Sequence, residues 1–156
     1  MKVSTRIFGE IELDDDKVIT FEQGMLGLTD LKKFTLLYNT EEDGTRPSIS
    51  WLQSLDEPGL AFPVIIPTLV YEDYNPIVDD ELIAPLGELG EENLTVLVTV
   101  TVSPDITQMT TNLKAPIIIN SDTRKGCQVI AENPDYEIKY KIYEKLNALK
   151  EQKGGC

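Results

Sequence analysis

"LTVLVTVTV", Leu94–Val102, carries the dominant signal of the chain: strict alternation with a period of two. Side chains recurring every second residue belong to a strand, since a helix would repeat every three to four. Leu94, Val96, Val98, Val100 and Val102 fall on one face, and Thr95, Leu97, Thr99 and Thr101 on the other. Such a strand is expected to bury the first face and wet most of the second, as in an antiparallel sheet.

Shorter stretches of the same kind surround it. "KVSTRIFG", "GEIEL", "KVITF", "FTLLYN", "ISWLQS", "AFPVII", "APIIIN" and "GCQVIA" all read as strands. Turn-forming clusters separate them: "DDDK", "EEDGTRPS", "DEPG", "YNPIVDD" and "NSDTRKG". Many short strands at close spacing predict an all-β fold, a small antiparallel β-roll or barrel. Helix signals are few. "TDLKKF" supports a turn or two behind Thr29 or Asp30, and "DDELIAPLGELGEEN" a short turn broken at Pro85. At the C-terminus Tyr136, Ile138, Tyr140 and Ile142 alternate as a strand, followed by a terminal helix ending at Gly154; a continuous helix from Asp135 is the alternative. With no repeat and no linker, residues 1–152 are expected to form one β domain and 153–156 a flexible tail.

The chain has 156 residues, with 27 acidic against 14 basic and a net charge of −13. That surface repels phosphate backbones and anionic lipid and steers basic proteins toward itself, so direct nucleic-acid or membrane binding is not expected. Solubility alone is an equal reading of the same acidity. Two cysteines are too few for a disulfide framework: Cys127 is expected to be buried, and Cys156 exposed in the tail. No apolar signal core or membrane-length run is present, and a reducing cytoplasm fits best.

There is no histidine, which removes the usual general base, the commonest metal ligand and the usual partner of a serine or cysteine nucleophile. No nucleophile-elbow, phosphate-loop or C-x-x-C pattern occurs. "GMLG", Gly24–Gly27, reads as a tight turn and not an RNA clamp, because basic flanks are missing. Asp14–Asp16 read as a hairpin loop, "EEDGT" (41–45) lacks the full calcium-loop spacing, and Asp79, Asp80 and Glu81 suit a helix start. No catalytic residue, cofactor site or metal site is assigned. The aromatics Trp51, Tyr71, Tyr74, Tyr136, Tyr140 and Tyr143 suit either interface anchoring or core packing.

"FGEIEL", "ITFEQGMLGLTDLKKFTLL", "SWLQSLDEPGLAFPVIIP", "TVTVSPDITQMTTNLKAPIIIN" and "GCQVI" together resemble the FliW family of flagellar assembly factors, in the expected order over most of the chain. Within "NLKAPIIIN", Pro116 lacks an N–H and suits a strand start, Asn112 and Asn120 can bond backbone at its ends, and the isoleucines suit burial on both faces. The resemblance implies a non-enzymatic protein that binds the translational regulator CsrA, a small basic RNA-binding dimer, and relieves its repression of flagellin synthesis. It also implies flagellin as a competing partner, received by an apolar groove or strand edge. Charge and placement suggest Glu72, Asp73, Asp79, Asp80 and Glu81, with Tyr71 and Tyr74, as the partner-binding surface. Two other readings are a carboxylate-dependent metal-binding or hydrolytic β-barrel, and a flagellin chaperone without regulatory activity.

Overall fold

The computed structural model describes residues 2–6, 8–25, 27–37 and 49–147. Among the described residues, strands β1 (Lys2–Thr5) and β2 (Gly9–Glu12) pair with each other alone, as an antiparallel ribbon. The remaining strands are β3 (Ile19–Thr20), β4 (Lys33–Leu37), β5 (Ile49–Ser54), β6 (Ala61–Ile65), β7 (Leu94–Thr101), β8 (Thr110–Thr111), β9 (Ile117–Asn120), β10 (Lys125–Gln128) and β11 (Tyr140–Lys141). Around the ring the order is β7-β6-β5-β4-β3-β10-β9, and β9 pairs back onto β7, closing a seven-stranded barrel. Closure gives every strand of the ring a neighbour on both sides. The β3–β10 pairing is parallel and the rest are antiparallel, while β8 and β11 extend the sheet outward from the far end of β7. The expected all-β barrel is therefore what the chain forms.

Its interior is filled by Ile19, Phe21, Met25, Phe34, Leu52, Val64, Leu97, Ile117 and Ile119. Leu97 corrects the expected wetting of the second β7 face: in a closed ring that face is the inside, and burying a leucine there stabilises by about 1.5–3 kcal/mol. On the outer face Val98 and Val100 are buried beneath a second layer with Ile65, Val70, Tyr74, Leu113 and Ile142. The ends of that face stay open, with Val102 52% exposed. A third cluster, Leu86, Ile118, Cys127 and Val129, lies on the β9–β10 side.

The three isoleucines of β9 are buried as expected, Ile117 and Ile119 inward and Ile118 in the third cluster. Asn112 Oδ1 accepts from the Lys114 amide, and Asn120 Oδ1 accepts from the amides of Asp122 and Thr123. Asn120 Nδ2 reaches further, donating to the Leu86 and Glu88 carbonyls. Gln53 plays a similar part on β5: Oε1 accepts from the Arg6 amide, and Nε2 donates to the Ser54, Pro58 and Leu60 carbonyls. It fastens the β1–β2 ribbon to the barrel.

"GMLG" is the tight turn expected, bridged between Met25 and Leu28. Gly24 has φ +69°, and a Cβ there would stand 2.6 Å from the Thr29 backbone. Three further expectations change. "TDLKKF" forms turns and then β4, because Phe34 is drawn into the barrel and no helical face remains to bury. Asp15–Lys17 is a 3₁₀ turn joining the ribbon to the barrel, since β2 and β3 belong to different sheets. The strand expected over 136–142 shrinks to β11, because its partner β8 offers two residues to pair with, and Ile138 is left 63% exposed. A helix follows at 143–147, which excludes a continuous helix from Asp135; its expected end at Gly154, the 153–156 tail, Cys156 and "EEDGT" lie outside the described residues.

Candidate partner-binding surface

The link from β6 to β7 carries all seven positions suggested above for the partner-binding surface. It begins with a 3₁₀ turn, Pro67–Leu69, and Val70 and Tyr74 drop into the outer layer. Glu72 and Asp73, between Tyr71 and Tyr74, are left exposed. Further on, Asp79 caps the one-turn helix α1 (Asp80–Ile83), its Oδ1 accepting from the Glu81 amide, with Asp80 and Glu81 in the first turn. Val78 and Ile83 pack on the third cluster. The seven positions thus divide: Tyr71–Tyr74 sit over the second layer and Asp79–Glu81 over the third.

Tyr74 is only 8% exposed, and its hydroxyl donates to the Leu113 carbonyl at 2.7 Å. Burial, with Tyr136 alongside, pushes its phenol well above the ordinary value. It stacks on Tyr136 at 4.8 Å, while Tyr71 meets Tyr74, Tyr136 and Tyr140 edge-on at 6.2, 5.5 and 5.5 Å. Tyr74 therefore supports the surface from within, and the half-buried Tyr71 is the aromatic that reaches it. Asn133 holds the neighbouring backbone: its Oδ1 accepts from the Ile77 amide, its Nδ2 donates to the Asn75 carbonyl, and its own carbonyl accepts from Lys114 Nζ. Neither periodicity nor motif marks Asn133 in the sequence.

Between Arg46 and Lys114 the chain has no lysine or arginine, yet it carries Asp56, Glu57, Glu72, Asp73, Asp79, Asp80, Glu81, Glu88, Glu91, Glu92 and Asp105. This single-signed stretch supplies β5, β6, β7 and the whole acidic link. Among the described residues no group of three or more Cys, Asp or Glu could hold a metal, and no helix is long and apolar enough to cross a membrane.

Two openings are lined by described residues. Under α1, Leu82, Pro85, Leu86 and Cys127 help line a space of about 20 Å³, room for a water and little more. Burial pushes the Cys127 thiol up to about 11. At the barrel mouth, Met25, Leu28, Phe62, Pro63 and Val100 help line an opening of about 240 Å³. Its cause is local. The Ser54 amide donates to the Leu60 carbonyl, so Ala61, Pro63 and Ile65 turn their backbone groups toward β7. The β6–β7 ladder runs through Ile65↔Val98 and Val64↔Thr99, and the next rung would need an amide proton that Pro63 lacks.

The class is thus a closed seven-stranded barrel with an apolar outer layer and an acidic loop flank. The family described as FliW protein matches residues 2–142. The flagellar assembly factor FliW of Lachnoclostridium phytofermentans is 50% identical, with all of both chains covered. That of Lachnospira eligens is 51% identical over 94% of this chain and 97% of its own. A crystal structure of the flagellar assembly factor FliW superposes with a TM-score of 0.81 at 33% identity, covering 91% of this chain and 96% of the other. The chain belongs to the FliW family of flagellar assembly factors.

Proposed function

We propose that this chain acts without catalysing a reaction, binding the regulator CsrA to relieve repression of flagellin synthesis and binding flagellin as the competing partner. Membership of the flagellar assembly family carries the reading. The net charge of −13 and the lysine- and arginine-free stretch between Arg46 and Lys114 support it, because a single-signed surface speeds encounter with a basic dimer. Glu72, Asp73, Asp79, Asp80 and Glu81 are the exposed carboxylates offered to the regulator, with Tyr71 beside them. For flagellin, the opening between β6 and β7 offers apolar side chains, Met25, Leu28, Phe62 and Pro63, beside Thr99, Thr101 and Gln128, together with strand backbone beyond the last rung of its ladder.

A three-component pull-down tests the reading. Immobilised chain loaded with the regulator should release it as flagellin is added, and the released regulator should again retain flagellin leader RNA. Simultaneous retention of regulator and flagellin would break the competition and leave two independent binders.

A further inference from the structure

The barrel and its outer layer close by different means. The barrel interior draws every buried member from residues 19–119, so the ring is complete without the C-terminal segment. The outer layer is not: Ile142 is fully buried in it, and Tyr136, Tyr140 and Leu146 pack against it from the same segment. The segment is held lightly along the backbone. β11 pairs with β8 over two residues, Tyr140↔Thr111 and Lys141↔Thr110. Beyond these, the Leu113 amide donates to the Glu137 carbonyl, the Ile142 amide to the Met109 carbonyl, and the Asn75 amide to the Tyr136 hydroxyl. Between those points the side chains of Ile138 and Lys139 are exposed.

We propose that residues 135–147 form a releasable strap over the barrel wall, whose opening as one unit bares an apolar groove and the edge of β8 while the barrel stays closed. The groove would be floored by Val98, Val100 and Leu113 and walled by Tyr71 and Tyr74. What covers it in the closed state defines what could take its place: an extended segment with aromatic and branched residues in alternation, bonding to β8 as Tyr140 and Lys141 do.

Native-state hydrogen exchange of the full chain tests it. The amides of Asn75, Leu113 and Ile142 each bond across the strap boundary, so a strap that opens as a unit gives them one shared protection factor, at least about tenfold below those of Leu52 and Ile118 in the barrel. Three unrelated values would mean local fraying, and values equal to the barrel's would mean an integral part of the fold; either overturns the proposal. In Ile142→Asp the three amides should lose protection together while Leu52 and Ile118 keep theirs. Loss of barrel protection in that variant, or its failure to fold, would also overturn the proposal.

Discussion

Single residues decide several of the joints. Gln53 has no exposed surface and satisfies four backbone groups at once, so Gln53→Leu leaves buried polar groups without that partner. The variant should lose about 3 kcal/mol in urea unfolding, and a loss below about 1 kcal/mol would refute the account of the joint. Gly24→Ala meets backbone at 2.6 Å in a left-handed conformation and should cost about 2 kcal/mol or more by the same measurement. Tyr74 gives a dependence on pH. Its phenol is raised above the ordinary 10.0, so the folded chain holds the proton more tightly than the unfolded one. Its stabilisation is complete below that pH and is lost as the pH climbs from there toward the folded value. Thermal unfolding should show the parent chain losing its advantage over Tyr74→Phe above pH 10; a constant difference from pH 8 to 11 would contradict this. The roles of Asn112 and Asn120 beside Pro116 were legible in the sequence, because those bonds are local. Gln53 could not be read that way: its partner Arg6 is 47 positions away.

At the scale of elements, alternation located the barrel strands but misjudged one face of β7. Period two separates the two faces of a strand without saying which of them the ring encloses. Leu97 turned inward once β9 closed on β7, a pairing with no local signal. The C-terminal segment failed differently: its alternation was real, but β8 offers only two residues to pair with. Asn120 shows an element held by its neighbour. Its Nδ2 ties the β9–β10 hairpin to the carbonyls of Leu86 and Glu88 behind α1. Asn120→Ala should lower stability by about 2 kcal/mol, and an unchanged denaturation midpoint would show that the tie contributes nothing.

For the whole molecule, charge is the property most directly visible in the sequence, and its arrangement the least. Composition gave −13, while the division of the acidic link over two apolar clusters emerged only from the fold. The carboxylates at 72–73 and 79–81 are exposed and therefore screened by salt, so they should govern the rate of encounter more than the lifetime of a complex. Neutralising Asp79, Asp80 and Glu81 together should slow association with the regulator by about tenfold at low salt and change dissociation little. An unchanged association rate would move the docking face elsewhere. Titration calorimetry of the purified regulator dimer into the full chain, at low and raised ionic strength, decides whether this acidic barrel is a regulator-binding protein. Binding should saturate, weaken as salt rises and disappear when flagellin is bound first; absence of binding at low salt, or binding unaffected by flagellin, would contradict the proposed function.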